Sequence, residues 1–199
     1  MIKVLLADDQ ALLRGALATV LGLEHDLEVV AQAADGDTAL ELAERTRPDV
    51  ALVDIQMPGR DGLSTIAGLC ALGCRVVILT TFGRPGYLSR AMAAGAAGFA
   101  VKDIPPERLI DTVRKVAAGL RVVDPNLAAE SLSAGTSPLT AREREVLITA
   151  STGGTVSDLA RRLHLTEGTV RNHLSAAIGK TGARTRAEAV RIADERGWL

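Results

Sequence analysis

The sequence predicts an α/β domain built on a doubly wound, five-stranded parallel sheet, followed by a smaller all-α domain of four helices. Three observations carry that expectation. Five short apolar runs, at residues 2–7, 27–31, 50–53, 76–79 and 98–101, recur about twenty residues apart. The stretches between them place apolar residues three and four apart, as helices packed on a sheet require. After residue 120 the alternation stops, and the rest of the chain carries helix-capping signals and no strand-like run.

Taken in order, the run at 2–7 is continuous in apolar side chains apart from Lys3, as a strand buried on both faces should be, and it ends on Asp8-Asp9. A helix is expected at 11–21 and a second strand at 27–31. The helix at 37–47 returns the chain to the strand at 50–53, which ends on Asp54. After a helix at 63–72, the strand at 76–79 ends on Thr80, and the strand at 98–101 ends on Lys102. A last helix, 105–117, closes the domain. Asp124-Pro125-Asn126 and the run from Ser131 to Pro138 then supply turn residues with little periodicity, although 127–132 fits a short helix. The expected division is therefore 1–120, a linker at 121–137, and 138–199.

In the second domain, Thr140 with Glu143 and Thr185 with Glu188 have the spacing of capping boxes, and Thr155 and Thr166 are placed to cap two helices between them. Residues 156–163, 164–168 and 169 onward read as helix, tight turn, helix. Val170, Leu174, Ala177 and Ile178 form one apolar stripe of the last helix. Gly168, Asn172, Ser175, Ala176 and Gly179 form the opposite face, flanked by Thr169, Arg171 and Lys180. That face suits either solvent or close approach to a surface such as a DNA groove.

With 47% hydrophobic residues, 199 residues suffice for two cores. No apolar run reaches the roughly 18 residues of a membrane span, and acidic Asp8 comes too early for a signal peptide, so no membrane association and a cytoplasmic location are expected. Cys70 and Cys74, without a nearby histidine, fit neither a disulfide framework nor a zinc site and are expected to be reduced thiols. The net charge of −1 conceals an asymmetry: residues 1–137 carry about −4 and residues 138–199 about +3. An acidic half beside a basic half points to a metal or regulatory site in one and nucleic acid for the other.

Parallel strands bring their carboxyl ends to one edge of the sheet, where ligands bind at the point of strand-order reversal. Asp8, Asp9, Asp54, Thr80 and Lys102 all fall there. Two or three carboxylates suit Mg2+, which prefers hard oxygen ligands, and an aspartate can attack phosphorus to form an aspartyl phosphate. Lys102 and Thr80 would then meet phosphoryl oxygens. Each residue alone also reads as a capping or solvated side chain; the coincidence of all of them at strand ends favours a phosphoryl site.

Asp8-Asp9, the segment from Asp54 to Gly62, Thr80 and Lys102 together resemble the receiver domain of two-component response regulators, a flavodoxin-like fold. The 22-residue step from Thr80 to Lys102 matches that family's spacing. The resemblance implies that Asp54 is the phosphoacceptor for a sensor histidine kinase. It implies that Asp8, Asp9, Asp54 and the Gln56 carbonyl hold Mg2+, and that Thr80 and Lys102 read the phosphoryl group. Thr80 and Phe99 would be the switch residues, although Phe99 reads equally well as core. Phe82, just after Thr80, is a further switch candidate or a surface-packing residue.

The segments Leu139 to Leu147 and Leu159 to Leu174 resemble the LuxR-type helix-turn-helix, and the order of the two domains is that of the NarL/FixJ response regulators. By position, Arg171, Asn172 and Ser175 would reach bases of double-stranded DNA, while Thr169 and Lys180 would touch phosphates. The implied function is regulatory and not enzymatic: phosphorylation drives a homodimer that binds DNA and controls transcription. Two alternatives are a DNA-binding regulator whose receiver is not phosphorylated and a haloacid-dehalogenase-type phosphatase. The latter needs a second acid two residues after its nucleophile, where this chain has Gln56.

Overall fold

The computed structural model describes residues 1–81, 85–125, 127–129 and 137–199. The chain divides into two compact units, one of residues 1–83 and 88–128 and the other of residues 84–87 and 129–199.

The first unit alternates β1 (Ile2–Ala7), α1 (Ala11–Gly22), β2 (Leu27–Ala33), α2 (Gly36–Thr46), β3 (Val50–Asp54), α3 (Gly62–Ala71), β4 (Arg75–Thr80), α4 (Pro85–Ala93), β5 (Gly98–Val101) and α5 (Pro106–Ala117). The sheet order is β2-β1-β3-β4-β5-β6, with every pairing parallel. The sheet has six strands where the sequence predicts five. The extra strand, β6 (Val122–Val123), pairs Val122 with Gly98 and Val123 with Phe99. The sequence places residues 122–123 in the linker, because two valines between Arg121 and Asp124 are too short to display a period.

Strand side chains alternate between two helical layers. Val4, Leu6, Leu52, Val77 and Leu79 pack with Leu109, Val113 and Val116 of α5. The intervening Leu5, Ala51, Val53 and Ile78 are buried on the other face, as are Ile66 and Leu69 of α3. The strand order reverses between β1 and β3, so the carboxyl ends of those two strands flank the switch point. Arg114 of α5 is tied to the α1–β2 turn through Asp26 (2.6 and 2.8 Å) and Glu24 (2.7 Å). Both cysteines are free thiols. Burial drives the Cys74 thiol up to about 12, and Cys70 donates to the Gly95 carbonyl.

The second unit contains α6 (Ala141–Ser151), α7 (Val156–Leu163), α8 (Glu167–Thr181) and α9 (Arg186–Glu195). One device starts all four. Thr140, Thr155, Thr166 and Thr185 each hold a β-region N-cap, and each hydroxyl accepts a backbone amide three residues on. An N-cap of this kind is worth about 1 kcal/mol. The full capping boxes are Thr140 with Glu143 and Thr155 with Asp158. At the expected box of Thr185, Glu188 instead accepts the Arg184 amide at 2.8 Å, because its carboxylate reaches one residue further back. Val146, Leu147, Leu159, Val170, Leu174, Ala177 and Trp198 form the core. The expected short helix at 127–132 falls largely outside the described residues.

Candidate functional site

The acidic site is built by strand ends. Asp8 follows β1, Asp54 ends β3, Thr80 ends β4 and Lys102 follows β5. Asp8, Asp54 and Thr80 are buried while Asp9 is exposed. One carboxylate oxygen from each of Asp8, Asp9 and Asp54 lies within 4.8 Å of the others. Lys102 Nζ bridges the two buried acids, 2.8 Å from Asp8 Oδ2 and 2.9 Å from Asp54 Oδ2. The Lys102 amide donates to the Thr80 carbonyl at 2.8 Å, so the backbones of these two residues are locked together.

Burial raises the Asp54 carboxyl above its ordinary value, the Lys102 ammonium opposes that rise, and the Asp8 charge adds to it. The Gln56 amide donates to the same carboxylate. Burial works against the Lys102 ammonium, but hydrogen bonds to Asp8 and Asp54 outweigh it and hold Lys102 above its ordinary value. Three carboxylates against one ammonium leave the pocket short of positive charge. That donor set, hard oxygens converging in an acidic cleft, suits Mg2+.

Phe99 is buried, in register with Ile78 and Val123, and lines a cavity of about 270 Å³ with Val101, Arg108 and Asp124. Phe82 lies outside the described residues.

Two residues at the acidic pocket have roles that the sequence reading does not assign. Arg14 of α1 donates from its guanidinium to the Asp8 carbonyl, fixing the loop that carries both acids. Gly62 lies against Asp54: a Cβ there would sit 2.0 Å from the Asp54 carbonyl oxygen. Its absence of a side chain lets α3 begin directly over the end of β3. The Asp61-Gly62 pair is visible in the sequence, but only the fold shows what the glycine touches.

In the second unit, α7 ends on His164 in the left-handed region at φ 53°, and three residues later α8 begins at Glu167. The helix starts two residues before the expected Thr169, because Thr166 caps it and Glu167 opens its first turn. Val170, Leu174 and Ala177 are buried. Gly168, Arg171, Asn172, Ser175, Ala176 and Gly179 form an exposed strip, with Thr169 partly covered. Arg171 pairs with Glu167 at 2.6 Å. Lys180 reaches back to Glu143 of α6, at 2.9 and 2.7 Å from its two oxygens. Burial alone would raise Glu143, but hydrogen bonds from Lys180 and Thr140 prevail and hold it below its ordinary value.

Comparison with known proteins bears on both units. The response regulator receiver domain model matches residues 4–114, and the model for bacterial regulatory proteins of the luxR family matches residues 137–193. The chain is 44% identical to the transcriptional regulatory protein YvfU of Bacillus subtilis, covering 100% of both chains. It is 41% identical to the transcriptional regulatory protein DesR of the same organism, again over 100% of both. Among solved structures it is similar to the response regulator ChrA of a heme-sensing two-component system. That match has 34% identity, covers 100% of this chain and 98% of the other, and gives a TM-score of 0.60.

Proposed function

Because this chain belongs to the response regulators that join a receiver domain to a luxR-family DNA-binding domain, we propose that it is a phosphorylation-switched transcription factor with Asp54 as its phosphoacceptor. The observation that carries this reading is the convergence of Asp8, Asp9 and Lys102 on the buried Asp54 carboxylate.

An Asp54 oxygen attacks the phosphorus of a phosphohistidine on a sensor kinase. An O–P bond forms, the P–N bond breaks, and the leaving imidazole takes up a proton. Asp8, Asp9 and Asp54, with the Gln56 carbonyl, would hold Mg2+, which would screen the repulsion between nucleophile and phosphoryl donor. Lys102 leaves its bridge between Asp8 and Asp54 to pair with a phosphoryl oxygen, and the Thr80 hydroxyl donates to another. Because Lys102 and Thr80 are hydrogen-bonded through their backbones, movement of either is felt in β4 and β5. Phe99, on β5 three residues before Lys102, is the aromatic positioned to respond.

The output is a homodimer on double-stranded DNA, with Arg171, Asn172 and Ser175 facing bases and Thr169 near phosphates. The protein is regulatory and not enzymatic, with Gln56 standing where a phosphatase of the haloacid-dehalogenase type needs its second acid. A cytoplasmic location accompanies this reading. Domain bounds of 1–120 and 138–199, with a linker between, accompany this reading.

Sedimentation with Mg2+, before and after beryllofluoride addition, tests it. Conversion of monomer to dimer is expected, and an unchanged mass contradicts phosphorylation-driven assembly.

A further inference from the structure

We infer that Lys180 is a positioning residue: its ion pair with Glu143 sets how α8 presents its DNA-facing residues, and it stays on Glu143 when DNA is bound. This rests on the DNA-binding reading above, and it replaces the phosphate contact that sequence position alone assigns to Lys180.

The geometry is that of a built-in anchor. Lys180 Nζ lies 2.7 and 2.9 Å from the two Glu143 oxygens, and the Thr140 amide donates to one of them at 2.7 Å. The Glu143 side chain is 7% exposed and that of Lys180 36%. The pair joins the first turn of α6 to the last turn of α8 across 37 residues of sequence. At 1.5 Å per residue, Lys180 is about 8 Å further along the axis than Ser175, away from the amino-terminal half of the helix that meets base edges.

What the anchor does follows from what else holds α8. Its buried residues are Val170, Leu174, Ala177 and Thr181, which fix its depth, and the Thr181 hydroxyl is bonded to carbonyls of α8 itself and not to α6. Thr166 caps the other end. An ion pair at the carboxyl end, where a cation is also favoured by the helix dipole, fixes the remaining freedom.

The same energetics decide where Lys180 stays. A phosphate that recruited its ammonium would strand a carboxylate shielded from water, and an unpaired buried charge costs more than a solvent-screened phosphate contact returns.

Two variants of the full chain test this, K180M and E143Q. The glutamine keeps an acceptor for the Thr140 amide, so the cap of α6 survives, and far-ultraviolet circular dichroism checks that both proteins are folded. Affinity is measured by fluorescence anisotropy across a salt series, with Mg2+ and beryllofluoride present there and in the selection so that the receiver is held in its activated state. The probes are a duplex that the wild-type chain selects from a randomised library and a scrambled duplex of equal length. Both variants are expected to lose affinity for the selected duplex by roughly tenfold, the scale of one displaced base contact, and to lose discrimination against the scrambled one. The slope of log affinity against log salt stays at the wild-type value. A slope reduced by about one in K180M, with E143Q binding as well as wild type or better, identifies a phosphate contact and overturns the inference. Wild-type affinity and discrimination in both variants overturns it as well. If the wild-type chain enriches no duplex, the DNA-binding reading itself falls.

Discussion

The Lys102 ammonium lies 2.9 Å from the Asp54 carboxylate, and both side chains are almost entirely shielded from water. A single cation is thus shared between Asp54 and Asp8, which sit at the ends of neighbouring strands. The pocket is organised around charges that the fold itself leaves unbalanced, the condition for a site that responds to a metal and a phosphoryl group.

Asp54→Asn should stabilise the protein in the absence of added metal, by about 1 kcal/mol, or about 2–4 °C in melting temperature for a chain of this size. Burial raises the Asp54 carboxyl above its ordinary value of 3.8. The folded state therefore binds the proton more tightly than the unfolded state, and stability from this group is lost as pH rises from that value through the folded one. The advantage of asparagine should be full at neutral pH and disappear on acidification below the ordinary value. Thermal melts at neutral and acid pH measure it; an asparagine variant that is less stable at neutral pH contradicts the charge imbalance.

Gly62→Ala should cost about 2–4 kcal/mol, because a Cβ 2.0 Å from the Asp54 carbonyl forces α3 away from β3. The shift also moves Asp54, so phosphoryl labelling should fall along with the urea midpoint. A variant with wild-type stability would show that the close approach is not required.

Asp9→Ala removes an exposed carboxylate and should change stability by no more than about 0.5 kcal/mol. Its effect should appear in calorimetric titration with Mg2+, where binding is lost. Retained affinity would place the metal on Asp8 and Asp54 alone.

Arg114→Met should remove an acid-sensitive component of stability. The hydrogen bonds from Arg114 hold the Asp26 carboxyl at about 2, below its ordinary 3.8. A depressed carboxylate contributes stability above its ordinary value and loses it as pH falls from there through the folded value. The gap between wild type and variant in urea midpoint should therefore be widest near neutral pH and narrow as the pH falls toward about 2. A constant gap would mean that Arg114 acts only through packing.

Most of this architecture was legible because parallel strands announce themselves as apolar runs and their functional ends as the first polar residue after each run. Asp54, Thr80 and Lys102 stand out for that reason. What the sequence could not display lies in tertiary contacts or in elements too short for a period. Val122-Val123 joins the sheet only because the edge of β5 is available. Glu143 and Lys180 each look like ordinary surface residues of their own helices until α6 and α8 are packed together. The roles of Arg14 and Gly62 depend on what the fold brings against Asp8 and Asp54. The α8 helix begins at Glu167 because the Thr166 hydroxyl accepts an amide within it, two residues before the expected start at Thr169.

The central claim, that Asp54 is the phosphoacceptor of this protein, is tested most directly by intact-mass spectrometry after incubation with a small-molecule phosphodonor and Mg2+. The account predicts one added phosphoryl group on the wild-type chain, none on Asp54→Ala, and none on the wild type when the metal is chelated. Undiminished labelling of Asp54→Ala would contradict it.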